Sequence, residues 1–206
     1  MANSAWPIPR LVIAAPQGRS GKTTLSLGLA AAFARRGLVV QPFKKGPDYI
    51  DPSWLSAAAG RPCRTLGLFF MPGDVSLWVA FGQGTRGVDL VLIEANHGLY
   101  DSSTGSPDEP DLGQGSSASL ARLLHTPILL VVNTARMGRS VAAMIHGYQT
   151  FEPGTPIAGV VLNNVAQGRH QARLRAAIEQ YCGLPVLGAY PRLSQMEIPD
   201  RHLGLV

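Results

Sequence analysis

The stretch Pro16-Gln17-Gly18-Arg19-Ser20-Gly21-Lys22-Thr23-Thr24 carries the residue types needed to hold a triphosphate. Gly18 and Gly21 let consecutive backbone N–H groups turn inward on an anion, with Arg19 and Ser20 between them. Lys22 supplies a cation for the β- and γ-phosphates, Thr23 a hydroxyl for Mg²⁺, and Thr24 opens the helix beside it. A helix starting here adds its positive dipole end to the same site. One position departs from the usual pattern: Pro16 stands where a glycine normally precedes the Gly-Lys pair by five residues. A glycine-rich turn that caps a helix without a ligand is the competing reading, and Gly-Lys-Thr-Thr between a strand and a helix weighs against it.

Two further clusters could complete phosphate chemistry. Glu94 ends an apolar run, and a carboxylate at a buried strand end is costly unless it is paired or bound to a cation. Mg²⁺ beside the phosphate loop would supply that cation, and so would a salt bridge to Lys22. The segment Lys44-Lys45-Gly46-Pro47-Asp48-Tyr49-Ile50-Asp51-Pro52 follows another apolar run. Alone it could be a polar turn; beside a phosphate loop it reads as a clamp, with Lys44 on phosphate and Asp48 on Mg²⁺.

These residues must be positioned by a sheet. Short apolar runs at 11–15, 39–43, 90–94, 128–133, 157–163 and 186–189 are too short for helices and are bounded by Gly or Pro. Helical patterns lie between them at 22–36, 52–59, 73–82, 117–124, 140–151 and 167–181. This alternation predicts an α/β domain, a mostly parallel sheet with helices on both faces, of the P-loop NTPase kind. In such sheets ligands sit beyond the carboxyl ends of the strands, where every motif above falls. Residues 101–117, rich in Ser, Gly, Pro and acids, read equally as a solvated loop or a mobile lid over the site.

The bulk numbers agree with one soluble domain over residues 1–206: 46% hydrophobic and 15% charged, which excludes disorder. The net charge is +5, carried by fifteen arginines against three lysines, Lys22, Lys44 and Lys45. The arginines are dispersed, so neither a nucleic-acid tail nor a membrane patch is expected, and an anionic small molecule is the better partner. Cys63 and Cys182 are isolated and read as reduced thiols of a cytoplasmic protein. The start of the chain lacks the apolar run of a signal peptide, and no segment spans a membrane.

The chain resembles the synthetase domain of the cobyrinic acid a,c-diamide synthase family, related to dethiobiotin synthetase. The resemblance is carried by AAPQGRSGKTTLSLGL, QPFKKGPDYIDPSW, DLVLIEANHGLYD, GSSASLARLL, VVNTARMGRSVAAMIHGYQTF, IAGVVLNNV and PVLGAYPR…IPDRHLGLV, in family order over nearly the whole chain. It implies ATP- and Mg²⁺-dependent amidation of a peripheral carboxylate of a modified tetrapyrrole through an acyl phosphate. By position, Asp101 in GLYD falls on the metal or substrate side, Asn163 and the Tyr190-Pro191-Arg192 turn near adenine, and Arg136 and Arg139 toward substrate carboxylates. It also implies subunits that pair around the substrate. The family pattern continues into a glutaminase domain, expected to be absent from this chain, because neither cysteine sits in a nucleophile elbow. Ammonia would then come from a glutaminase elsewhere in the full-length protein or on a separate chain.

Departures bear on the substrate. Glu94-Ala95-Asn96-His97-Gly98-Leu99-Tyr100-Asp101 stands where the family commonly reads like IEGVMGLFDG, and Asn133 stands where relatives often carry Asp. A paralogue acting on sirohaem or a nickel sirohydrochlorin fits these changes, with His97 toward substrate carboxylates or in a structural hydrogen bond. Two alternatives stay open: a dethiobiotin-synthetase-like ligase, and a non-catalytic nucleotide switch. The latter is disfavoured because position 17 is Gln, not the signature lysine of ParA/MinD-type ATPases.

Overall fold

The computed structural model describes residues 8–67, 71, 73–102, 113–166 and 168–192. Seven strands form one sheet in the order β3-β2-β4-β1-β5-β6-β7, with every neighbouring pair parallel. The strands are β1 (Arg10–Ala14), β2 (Val40–Lys45), β3 (Arg64–Leu66), β4 (Leu90–Glu94), β5 (Ile128–Asn133), β6 (Ile157–Asn163) and β7 (Val186–Tyr190). The helices are α1 (Lys22–Arg35), α2 (Ile50–Ala59), α3 (Asp74–Gly84), α4 (Ser117–Leu123), α5 (Ser140–Phe151) and α6 (Arg169–Cys182).

Alternation along each strand feeds both faces of the sheet. Val12, Phe43, Ile93 and Leu130 join one buried cluster with Leu77, Phe81, Leu174 and Ile178. Ile13, Val40, Leu92 and Val131 join a second with Ala30 and Ala59. Because both faces are covered, the strands read as continuous apolar runs, which is why they were visible in the sequence.

The expected α/β sheet is found, with differences at its ends. β3 has no counterpart among the expected strands: it is three residues long, and only Leu66 of it is buried. β2 runs through Lys44 and Lys45, two residues beyond the expected end, because both lysines are buried and their backbone pairs with β3 and β4. α2 begins at Ile50, ahead of Pro52, because Asp48 Oδ1 accepts from the N–H groups of Ile50 (2.9 Å) and Asp51 (3.1 Å). Residues 103–112 of the expected lid, Gln167 and the HLGLV stretch lie outside the described residues.

β1 sits at the centre of the sheet between β4 and β5. The chain passes from β1 outward to β2 and β3, returns to β4, and then continues on the other side with β5, β6 and β7. The reversal at β1 opens a crevice above its carboxyl end.

Candidate nucleotide and phosphoryl-transfer site

The loop after β1 is shaped by two left-handed residues, Arg19 (φ 56°) and Gly21 (φ 98°). Gly21 cannot be replaced: a Cβ there would lie 2.3 Å from Asn163 Nδ2 and 3.0 Å from the Tyr190 hydroxyl. As the N-cap of α1 it offers no side chain, so the first N–H groups of the helix are left to face the loop. Ser20 Oγ donates to Gln17 O (2.9 Å), and Asn163 Nδ2 at the end of β6 donates to Ser20 O (3.0 Å). Tyr148 of α5 donates to Pro16 O (2.9 Å). The place where the usual opening glycine is missing is thus held from the side by a tyrosine. No sequence signal marked Tyr148.

Lys22 is buried and donates to His97 O (2.8 Å) and Gln17 O (3.4 Å). Burial, aided by the nearby charge of Lys44, pushes its pKa down to about 8. His97 adopts a left-handed conformation (φ 44°), rare for a non-glycine residue, and this turns its carbonyl toward the lysine. Gly98 follows against the phosphate loop: a Cβ there would lie 2.6 Å from Pro16 O and 2.7 Å from Asp101 Oδ2. Asp101 Oδ2 in turn accepts from the Gly98 N–H (2.8 Å).

The parallel register of β2 and β4 sets Lys44 beside Glu94. Lys44 Nζ donates to Glu94 Oε1 (2.7 Å) and Asp51 Oδ2 (2.6 Å), and lies 3.6 Å from Asp48 Oδ2. Thr23 Oγ1 donates to Glu94 Oε1 (2.8 Å) and is 3.5 Å from Asp51 Oδ2. The lysine paired with Glu94 is therefore Lys44; Lys22 is engaged by backbone carbonyls. Asp51, seen in the sequence but given no role there, stands closer to Thr23 and Lys44 than Asp48 does. Asp48 spends one oxygen capping α2. Burial raises the pKa of Glu94 despite Lys44. Burial also acts upward on Asp51, but the charge and hydrogen bond of Lys44 outweigh it and hold its pKa below the usual range. For Lys44, burial pulls downward, and the two carboxylates overcome it to raise the pKa.

Glu94 is 1% exposed, and among the described residues its buried Oε2 has no hydrogen-bond partner. A fully buried carboxylate oxygen with no donor is expensive, and a cation adjacent to it removes the cost. Thr23, Asp51 and Glu94 provide hard oxygen donors of the kind Mg²⁺ prefers. Among the described residues no three His, Cys, Asp or Glu side chains form a ready metal cage. Mg²⁺ takes one or two carboxylates and completes its shell with phosphate oxygens and waters.

On the far side of β1, Asn163 (β6) and Tyr190 (β7) are register partners. Both Asn163 amide groups are engaged, Nδ2 on Ser20 O and Oδ1 by the Asn164 N–H (2.7 Å). The Tyr190 hydroxyl is buried and has no hydrogen-bond partner among the described residues, and burial pushes its pKa up to about 12. Pro191 is half-buried and Arg192 exposed just beyond β7; Gly18 and Arg19 are exposed, and Thr24 is half-buried in the first turn of α1. Arg136 and Arg139 are exposed on the loop before α5, where the Arg139 guanidinium lies 6.0 Å over the Tyr181 ring. Cys63 is half-buried, and burial pushes its thiol up to about 12; Cys182 is raised for the same reason and donates to Ala142 O. Neither is poised as a thiolate nucleophile.

Residues 11–206 match the family model for the CobQ/CobB/MinD/ParA nucleotide binding domain. The chain is 50% identical to a cobyrinate a,c-diamide synthase of Magnetococcus marinus, over 98% of this chain and 42% of that protein. It is 46% identical to a hydrogenobyrinate a,c-diamide synthase of Streptomyces coelicolor, over 100% of this chain and 41% of the relative. A cobyrinate a,c-diamide synthase of Methanosarcina acetivorans is 43% identical over 98% of this chain and 40% of that protein. The chain thus spans about two-fifths of the length of these relatives. Among solved structures, chloroplast FtsY from Physcomitrella patens superposes with a TM-score of 0.60 at 18% identity, covering 93% of this chain and 64% of that one. The hydrogenase maturation factor HypB from Archaeoglobus fulgidus gives 0.51 at 14%, covering 88% and 80%. At these identities the likeness concerns the fold alone. Among the described residues no helix is long and apolar enough to cross a membrane.

Proposed function

Since the chain belongs to the CobQ/CobB/MinD/ParA nucleotide binding domain family, we propose that it is the ATP-dependent amidating domain of a tetrapyrrole a,c-diamide synthase. The observation that carries the reading is the Thr23–Glu94–Lys44–Asp51 cluster at the mouth of the phosphate loop, with Lys44 and Glu94 buried. The names of the relatives supply the substrate class, a corrinoid polycarboxylic acid.

A carboxylate is a poor electrophile until one oxygen leaves as phosphate. In the first step the substrate carboxylate oxygen attacks the γ-phosphorus, the bond to the β,γ-bridging oxygen breaks, and ADP leaves. In the second, ammonia attacks the acyl carbon, the C–O bond to phosphate breaks, and inorganic phosphate and a proton leave. The loop N–H groups and Lys22 bind and orient the phosphates, and Lys44 neutralises charge on the transferring group. Thr23 and Glu94, with Asp48 or Asp51, would hold Mg²⁺, which would supply charge neutralisation for the triphosphate. Asp101 positions the loop that meets the substrate, and Asn163, Tyr190, Pro191 and Arg192 lie on the side where the base would rest. Ammonia comes from a glutaminase domain elsewhere in the protein or on a partner chain, and the working unit is a homodimer in the cytoplasm, without nucleic acid or membrane.

The test supplies ATP, Mg²⁺, ammonium and cobyrinic acid, then sirohaem, and follows the mass change of acid to amide. Stimulation of ADP release by diaminopelargonic acid and by no tetrapyrrole acid would overturn the proposal in favour of a dethiobiotin-type ligase.

A further inference from the structure

Lys45 is the cation that the nucleotide cluster leaves over. Neighbouring residues of a strand point to opposite faces, so while Lys44 meets Glu94 and Asp51, Lys45 lies on the other face of β2, the face of Phe43. The residue is only 7% exposed. Among the described residues its ammonium makes no hydrogen bond and no ion pair. The acid that attracts it is Asp101, whose Oδ2 already accepts from the Gly98 N–H at 2.8 Å. Burial accordingly depresses its pKa, with the attraction of Asp101 opposing and the repulsion of Lys44 adding. An ammonium on a largely buried side chain, with its donors unused by the protein, is stabilised by an incoming anion.

A second donor lies beside it. Asn96 leans over Gly46, the residue after Lys45, so closely that a Cβ on Gly46 would sit 3.2 Å from Asn96 Nδ2. Gly46 is left-handed (φ 77°), which lets the chain turn beneath that amide. Asn96 Oδ1 is occupied by the His97 N–H (3.0 Å), and among the described residues Nδ2 has no acceptor. Lys45 and Asn96 Nδ2 offer donors only, at the carboxyl ends of β2 and β4, across β2 from the cluster that would handle the reacting group.

We propose that Lys45, with Asn96 beside it, forms an anion subsite that takes a second, non-reacting carboxylate of the substrate and so selects polycarboxylic acids. This rests on the amidation reading. Lys44 serves the phosphoryl group being transferred, and Lys45 anchors a carboxylate next to the one that reacts. Lys45 is then a specificity-determining residue, and its loss weakens acid binding and spares nucleotide handling.

The experiment compares the full chain with Lys45→Met and Lys45→Arg, using cobyrinic acid, ammonium, ATP and Mg²⁺. Expected for Lys45→Met is a KM for cobyrinic acid raised about tenfold or more, the scale of one charge-assisted hydrogen bond. Its kcat and its KM for ATP should be little changed, and Lys45→Arg should recover most of the loss. A KM within about twofold of the parent, or a loss confined to kcat or to ATP, overturns the subsite. A readout independent of turnover uses the three lysines of the chain. With ¹³Cε-labelled lysine, Mg²⁺ and a non-hydrolysable ATP analogue present, tricarballylate should shift the Lys45 signal, assigned from Lys45→Arg, well beyond the shift caused by acetate at equal carboxylate concentration. Equal shifts, or none, overturn the proposal even if the Met variant fails to fold. If the parent turns over no tetrapyrrole acid and the tricarballylate shift is present, the amidation reading falls and the anion subsite stands.

Discussion

Replacing Lys44 by methionine should unmask the charge balance of the site, and the structure sets both the size and the pH dependence of the effect. Lys44 Nζ lies 2.7 Å from Glu94 Oε1 and 2.6 Å from Asp51 Oδ2, and its side chain is 3% exposed. Methionine keeps the volume and removes the cation, leaving two neighbouring carboxylates with Thr23 Oγ1 at 2.8 and 3.5 Å from them. Removing one partner of a buried ion pair costs about 3–5 kcal/mol. For a chain of this size each kcal/mol moves Tm by roughly 2–4 °C, so Tm should fall by about 6–20 °C at pH 8. The sign with pH follows from linkage. The pKa of Glu94 is raised above its ordinary 4.5 even with Lys44 present, and it rises further once the cation is gone. A carboxyl raised in the folded state stabilises the fold below its unfolded pKa, and that contribution is lost as pH rises through the folded value. Asp51, held below its ordinary 3.8, contributes stability above that value in the parent and loses its source in the variant. Both effects make the deficit largest at pH 8 and smallest near pH 4.5. Thermal melts and urea titrations of parent and variant across that range measure it, with and without Mg²⁺, which should raise the variant's Tm more than the parent's. An equal deficit at both ends of the range, or one under about 1 kcal/mol, would refute the claim that Lys44 neutralises these acids.

Three other outcomes are expected. Lys22, depressed to about 8, should lose its proton on the alkaline side, so affinity for an ATP analogue should fall between pH 7 and 9, and Lys22→Ala should abolish both the affinity and its pH dependence; calorimetry at several pH values measures this. Asp48→Asn can keep the cap of α2 through its amide oxygen while removing the charge, whereas Asp48→Ala should also lose about 1 kcal/mol of stability. Full Mg²⁺-dependent turnover by Asp48→Asn would assign the metal role to Asp51. Gly98→Ala drives a Cβ to 2.6 Å from Pro16 O and 2.7 Å from Asp101 Oδ2 and should displace the phosphate loop, costing about 1–3 kcal/mol and weakening nucleotide binding; unchanged Tm and affinity would disprove that wedge.

The sheet was legible because burial on both faces writes each strand as an unbroken apolar run, as in Leu90–Glu94 and Ile128–Asn133. β3 was not legible, since Arg64 and Thr65 are exposed and a three-residue edge strand leaves no period to detect. The phosphate loop and Glu94 could be read because glycine, lysine and a misplaced acid are chemically loud. The partner of Glu94 could not, because it depends on the register Lys44↔Glu94, which no local pattern encodes. Asp51 and Asp48 look alike in the sequence. The hydrogen bonds that put Asp48 on the helix cap and Asp51 on Lys44 tell them apart. Tyr148 was invisible, being one aromatic among several until the fold brings it to Pro16 O, 132 positions away.

The unsatisfied groups at the carboxyl rim differ in sign, and their arrangement argues for the order in which ligands pack. Glu94 Oε2 is an acceptor with no donor, and beside it stand the Thr23 and Asp51 oxygens: that corner calls for a cation. Among the described residues the Tyr190 hydroxyl, next to Gly21, has no hydrogen-bond partner, and the Lys45 ammonium on the other flank has no acceptor: the first takes a polar group and the second an anion. Under the proposed function a metal–nucleotide complex would fill the first corner and set its base side near Tyr190, which leaves Lys45 to a different anion. An empty site therefore carries desolvation cost of both signs, and the fold tolerates it because Lys44, held by two acids, and Lys22, held by two carbonyls, keep most of the charge in balance. Binding that relieves these costs is favoured over binding that only adds contacts, so nucleotide with Mg²⁺ should enter first, and the acid should bind more tightly to the filled site than to the empty one.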